Sequence, residues 1–415
     1  MIIAAVLQQH ADDAAALASN RHALTSAAGA TLARLRRADD RLMANLEGLE
    51  EAVAESVRFC DGLRESLSPG GVFTLAVRAL QQRDRAALAE LIAIAAALPE
   101  VTKGLLAAFG WVERSALQGV VTELLGDRDP YKRMIGVAAC ALHRVDPGRA
   151  AGTHLHSSDS IVCARAHRFA GELGSTDLLP GCLDVARGAA DEAVGLWAAW
   201  SAVLLGDRHE ALEVLTQRGL ADGAHRRRAF RLAVQAMSTS GAHSLLQQLA
   251  TDPRQIRWLI QGSGIVGNPE YVPWLIRHMA DIKTARIAGE AFELITGAQL
   301  GPNSLDRPAP ENFESGPTDD PDDPNVDMDE DDGLSWPDPD KVRTWWSANE
   351  SRFQEGTRYF MGAPVTREHC VGVLRNGYQR QRILAAHYLS LLEPGTPLFN
   401  TSAPAWRQQR WLARM

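Results

Sequence analysis

One regularity constrains this chain more than any other: an acidic residue opening a helical pattern recurs every 29 to 32 residues, at Asp129, Asp159, Asp191, Asp222, Asp252 and Asp281. Seven places after each stands a small or apolar residue, in order Gly136, Ala166, Ala198, Ala229, Leu259 and Ala288. Fifteen places on, three units put glycine after an apolar residue (Gly174, Gly206, Gly267), and Gly297 follows one place later. A carboxylate at an N-cap accepts from free backbone N–H groups and faces the positive end of the helix dipole. A small residue in mid-helix lets the next helix approach, and glycine adopts the left-handed conformation that ends a helix. Shorter apolar stretches lie between, as at 178–186 and 271–279. Paired helices of about 30 residues per unit bury their apolar faces only against their neighbours, which predicts a stacked αα-solenoid over residues 99–305.

The flanks read differently. Alanine and leucine dominate and aromatics make up 6% of the chain, so helix formers are abundant and strand formers scarce, and the fold class is all-α. Residues 1–98 keep helical periodicity without the repeat register, broken at Ser68-Pro69-Gly70-Gly71, and are expected to form an N-terminal helical cap. Residues 306–340 are rich in Pro and Asp; their low hydrophobicity and high charge predict a mobile acidic loop. Residues 341–415 are expected to form a C-terminal helical cap rich in tryptophan, with a helix over 379–392. Trp336, Trp345, Trp346, Trp406 and Trp411 cluster in and just before this part.

The net charge of −8 is unevenly spread: residues 308–340 hold thirteen Asp and Glu and no Lys or Arg, and the rest of the chain is mildly basic. Such a segment suits a basic protein partner and argues against nucleic acid. The expected contact residues are Asp319, Asp320, Asp322, Asp323, Asp327, Asp329, Glu330, Asp331 and Asp332, with Trp336 as an aromatic anchor. Trp345 and Trp346 are expected instead to be core. The N-terminus lacks the basic and long apolar regions of a signal peptide, and no uncharged apolar run approaches the length of a membrane span. Five scattered cysteines within helical pattern suit reduced, buried thiols. The expectation is a soluble, cytoplasmic protein with no membrane attachment.

Motifs for chemistry are weak. Gly262-x-Gly264-x-x-Gly267 matches a dinucleotide fingerprint but falls at the end of a repeat helix, without the strand that precedes a working one. Cys140, His143, His154, His156, Cys163 and His167 have metal-like spacings, yet the two cysteines differ by seven residues in register, roughly 10 Å of helical rise. Asp327-x-Asp329-x-Asp331-Asp332-Gly333 resembles the start of a calcium loop with its glycine one position late. Arg226-Arg227-Arg228 has no aromatic stacking platform beside it and reads as a surface patch. No cofactor, metal or catalytic set is expected.

Several longer motifs are more specific. They are Gln9-His10-Ala11-Asp12-Asp13-Ala14 and Asp40-Arg41-Leu42-x-Ala44-Asn45-Leu46-Glu47-Gly48-Leu49 near the start, and Ala139-Cys140-Ala141-Leu142-His143-Arg144-Val145-Asp146-Pro147-Gly148 further on. Ala288-Gly289-Glu290-Ala291-Phe292-Glu293-x-Ile295-Thr296-Gly297 and Trp336-Pro337-Asp338-Pro339 follow, then Arg358-Tyr359-x-x-Gly362-x-Pro364-Val365-Thr366, Pro397-Leu398-Phe399 and Ala403-Pro404-Ala405. On these the chain resembles, over nearly its whole length, a family of proteobacterial HEAT-repeat proteins often encoded among type VI secretion genes, near spike, tip and effector genes. The family usually has His and Asp where this chain has Asn45 and Glu47. The resemblance implies a HEAT-like solenoid that binds another protein. It implies either an immunity protein that blocks an effector toxin in the producing cell, or an adaptor or chaperone that loads the effector onto the secretion tip. The acidic segment favours immunity, because the substrate groove of a nuclease toxin is basic. A metal-dependent enzyme using the histidine and cysteine cluster and a purely structural scaffold are the readings from other classes.

Overall fold

A computed structural model of the protein describes residues 4–51, 62–311, 313, 316 and 329–415. The chain divides into two compact units, the first made of Met1–Ser26, Ala30–Ala211 and Glu393–Met415, the second of Ala27–Gly29 and Leu212–Leu392. Among the described residues the fold is all-α apart from two pairs of two-residue strands, and no single helix is long and apolar enough to cross a membrane.

The first unit runs through α1 (Ala4–Leu24), α2 (Leu32–Glu50), α3 (Pro69–Gln81), α4 (Arg85–Ala97), α5 (Thr102–Trp111) and α6 (Val120–Gly126). It continues through α7 (Pro130–His143), α8 (Arg149–Leu155), α9 (Ser160–Leu173), α10 (Leu179–Gly188) and α11 (Glu192–Leu204), and the boundary falls inside α12 (Glu210–Leu220). The acidic anchors act here as expected. Asp129 caps α7 by accepting from Tyr131 N at 2.9 Å, Asp159 caps α9 from Ile161 N at 3.1 Å, and Asp191 caps α11 from Val194 N at 3.0 Å. Gly174 ends α9 at φ 74°. Helices α5, α7, α9 and α11 pack each on the next, and α3 lies against both α1 and α5. Where α3 meets α5 the approach is so close that a Cβ on Gly104 would come within 1.9 Å of the Pro69 carbonyl, so only glycine fits. The core is a continuous cluster around Leu42, Leu46, Phe73, Leu91, Leu105 and Phe109. Two early sequence motifs also meet at the part-buried edge of this unit, His10 Nδ1 lying 2.9 Å from Asn45 Oδ1.

The second unit holds α13 (Arg226–Ala236), α14 (Thr239–Leu249), α15 (Ile256–Val266), α16 (Val272–His278) and α17 (Ala285–Thr296). After them come β1 (Asp306–Arg307), β2 (Trp336–Pro337), α18 (Pro339–Asn349), β3 (Tyr359–Phe360), β4 (Ala363–Pro364), α19 (Arg367–Asn376) and α20 (Gln379–Leu392). Here the anchors keep their spacing but change their job. Asp252 caps one turn of 3-10 helix before α15, Asp281 accepts from Lys283 N in the turn before α17, and Asp222 is an exposed partner of Arg226. Helix α15 packs between α13 and α17, and α20 lies on α13. Trp346 is buried in this unit's core and Trp345 packs against it, as expected of core residues. The β3–β4 hairpin crosses the ends of two repeat helices: Tyr359 N donates to Gly267 O at 2.8 Å and Met361 N to Leu294 O at 2.6 Å. Gly267 therefore does two things, ending α15 at φ 72° and admitting the hairpin, because a Cβ there would lie 1.9 Å from Tyr359 O.

Two expected segments differ from the observed ones. Residues 306–340 do not form a loop throughout: Asp306 and Arg307 pair antiparallel with Pro337 and Trp336, and Asp338 caps α18. The expected C-terminal cap, 341–415, divides after Leu392, and its last part belongs to the unit that contains the N-terminus. There α21 (Ala405–Leu412) lies against α2, Trp406 meets Trp111 edge-on at 4.6 Å, and the Arg407 guanidinium donates to the carbonyls of Gly110, Trp111 and Val112. Those carbonyls end α5 and have no partner within their own helix. Long-range closure of this kind leaves no periodic trace in a sequence, which is why a terminal cap was expected instead.

Candidate functional site

The expected contact residues fall in the second unit, and the structure puts arginines opposite them. Arg227 on α13, Arg257 on α15 and Arg286 on α17 each stand five places after a repeat anchor, Asp222, Asp252 and Asp281. Because these helices pack side by side, equal register aligns the three guanidinium groups. The backbone at Asp329–Asp331 lies along this ladder. Arg286 holds Asp329 through two bonds, Nη1 to Oδ2 at 2.7 Å and Nη2 to Oδ1 at 2.9 Å. Arg257 holds Asp331 in the same way at 2.6 and 3.1 Å, and Arg227 reaches Glu330 at 2.9 Å. Arg380 of α20 closes the array, donating to the Glu330 carbonyl at 3.0 Å and to Glu290 at 3.1 Å. Two-point pairing matches the planar guanidinium to the planar carboxylate and makes these the strong contacts of the set.

Burial divides the ladder by strength. Asp331 is 4% exposed and Arg286 8%, whereas Arg227 and Glu330 are exposed. Phe313 and Trp336 both pack on the Arg286 guanidinium, with centroids at 4.7 and 4.9 Å, and meet each other edge to face at 4.7 Å. Burial opposes ionisation of Asp329, but the Arg286 bond, the Asp331 N–H and the charges of Arg286 and Arg257 outweigh it and hold the carboxyl below its usual range. Behind the ladder, burial pushes Glu293 up to about 7, with Glu290 adding to the effect and the Leu300 N–H opposing it.

Of the expected partner-binding residues, Asp329, Glu330 and Asp331 are thus taken up by the chain's own arginines, and Trp336 is buried beside Arg286. Asp332 is exposed next to them. Asp319, Asp320, Asp322, Asp323 and Asp327 lie outside the described residues. The sequence reading missed the ladder, although its signal was present: position five of the unit is Arg in the last three repeats and Met134, Ala164 and Leu196 in the first three.

The other candidate motifs resolve into structure. The calcium-like run places Asp329 and Asp331 on arginines and Asp338 at a helix cap. Gly262 and Gly264 lie inside α15 as packing contacts, against Leu246 and Ala291, and Gly267 is its C-cap. Cys140, Cys163, His143 and His167 are buried; His143 Nε2 contacts Phe109 O at 2.7 Å and the Cys163 thiol points to Leu155 O at 3.1 Å. Among the described residues no three His, Cys, Asp or Glu side chains gather as a metal site. Arg226–Arg228 is not a uniform surface patch: Arg226 is buried over the Trp258 ring at 4.2 Å, and Arg227 belongs to the ladder. No protein-family model matches the chain, and neither a curated protein nor a solved structure is found to be similar to it.

Proposed function

We propose that this chain is a HEAT-like αα-solenoid that works by binding another protein, in the setting of type VI secretion, as a cytoplasmic immunity protein that holds a cognate effector toxin. The observation that carries the reading is that the acidic stretch is tied down at both ends within one unit. The β1–β2 pair closes its base, and the arginine ladder grips Asp329–Asp331. Carboxylates neutralised by the ladder, Asp329–Asp331, serve as an anchor, and the remaining ones, Asp319, Asp320, Asp322, Asp323 and Asp327, meet the basic groove of the partner. Charge complementarity of this kind speeds association, and apolar contacts then set the off-rate. The packing of each long helix on the next within a unit supports the solenoid reading.

The test is to delete residues 317–328, which removes Asp319, Asp320, Asp322, Asp323 and Asp327 and keeps the β1–β2 pair, the arginine ladder and Phe313. Tagged protein is purified from its source cell, the captured effector is identified by mass spectrometry, and both forms are co-expressed with it. The expected result is rescue by the full chain and at least a tenfold loss of affinity and protection by the deletion. Undiminished protection would remove the acidic stretch from the mechanism. Capture of an effector together with a tip protein, without rescue, would make the chain an adaptor.

A further inference from the structure

The first unit contains a cavity of about 330 Å3 between α1, α3, α5, α7 and α9, walled on one side by the returning chain at 400–404. That volume lies in the range of small-molecule sites. Alanine and glycine, at Ala18, Ala107, Ala138 and Gly110, leave the room, and Phe73, Trp111, Leu106 and Leu142 give it an apolar wall.

Its charge is unbalanced. Arg21, Lys103, Arg165 and Arg168 line the cavity against a single carboxylate, Glu172. Arg21 is answered from behind by Asp39 at 2.6 Å. Glu172 is shared: Arg165 reaches one oxygen at 2.8 Å and Arg168 the other at 3.0 Å, with the charge of Arg144 also acting on it. Three guanidinium groups around one carboxylate leave positive charge uncompensated. The Arg165 side chain is only 11% exposed, and its Nη1 atom is buried with no hydrogen-bond partner. Lys103 is exposed beside His22 and makes no ion pair among the described residues, adding a second uncommitted cation.

We propose that this cavity binds a small amphipathic anion, its carboxylate or phosphate head held by Arg165, Arg168 and Lys103 and its apolar body against Phe73, Trp111 and Leu142. The head offsets the excess positive charge of Arg165, Arg168 and Lys103, and the body removes apolar wall from water. Neither element has a role in the protein-binding function proposed above, so the two readings stand or fall separately.

Calorimetric titration of the full chain with octanoate, octyl phosphate and octanol tests this. At least one anion is expected to bind one to one with submillimolar Kd, weakening with added salt, while octanol binds at least tenfold more weakly. The preferred anion identifies the head. Lys103→Glu, an exposed change, is expected to weaken binding at least fivefold with unchanged unliganded Tm, and Ala107→Trp to abolish it by filling the space. The proposal is overturned if neither anion binds at 1 mM, if octanol binds as well as they do, or if both variants bind like the natural chain.

Discussion

Each unit holds a cluster of arginines, three successive repeat helices supplying it in the second unit and α9 with the end of α7 in the first, and the two clusters are answered differently. In the second unit the ladder of Arg227, Arg257 and Arg286 meets a matching run of carboxylates, Asp329 to Asp331, supplied by a later part of the same chain. In the first unit Arg165, Arg168 and the charge of Arg144 share one carboxylate, Glu172, and each cluster keeps one buried guanidinium nitrogen without a partner, Arg165 Nη1 here and Arg286 Nε in the ladder. The same residue type on the same scaffold thus serves closure in one place and leaves an open demand in the other. What decides is whether the chain returns with enough negative charge. A segment rich in Asp returns to the second unit, while the segment that returns to the first, 393–415, carries a single acidic residue, Glu393.

If this contrast is right, removing one arginine from each cluster has unequal effects. Arg286→Ala leaves the partly buried Asp329 without its pair and opens the space beside Phe313 and Trp336, and should cost about 3 kcal/mol. Arg165→Ala leaves Glu172 with Arg168 and Arg144 and should cost roughly half as much. Hydrogen exchange resolved along the chain reads the two units separately, and equal losses would break the comparison.

The buried histidines and the buried Glu293 should respond to pH with opposite sign, and His387, held down to about 3 by burial, gives the second unit the histidine response as well. Burial holds His143 and His167 in the first unit down at about 4, with the nearby Arg407 adding to the effect on His143. The unfolded chain takes up these protons first, near 6.5, so stability is lost as pH falls from about 6.5 towards 4, by about 2–3 kcal/mol for each histidine. Glu293 in the second unit has its folded value raised to about 7 from 4.5. Its contribution is fully present below 4.5 and is lost as pH rises through 7. Glu293→Gln, which keeps the acceptor for the Leu300 N–H, should therefore stabilise the second unit at pH 8 by about 1–2 kcal/mol and leave it unchanged at pH 4. A variant with the pH profile of the natural chain would contradict this.

The smallest effect belongs to the rim of the ladder. Arg227→Ala removes a pair in which both side chains are about half exposed, so it should cost less than about 1 kcal/mol, and nothing measurable in 1 M salt. A larger cost by urea denaturation would mean that the ladder acts as one unit rather than as a strong centre with a weak edge.

Periodicity carried much of the architecture in local form. The all-α class, the capping roles of Asp129, Asp159 and Asp191, the left-handed Gly174, Gly267 and Gly297, and the helix over 379–392 all follow from interactions a few residues long. Such interactions depend on residue type and spacing, which a sequence displays directly. The partners of the acidic run and the path of the last residues were not legible there. Asp331 meets Arg257 across 74 residues and Arg407 closes α5 across almost 300, contacts set by how helices stack and where a returning chain can lie. The arginines of the ladder were written in register, but a register says only which side chains share a face. That the face was already occupied by the chain's own carboxylates, while a second cluster was left short of negative charge, came from packing in three dimensions, where charge balance is settled by neighbours in space.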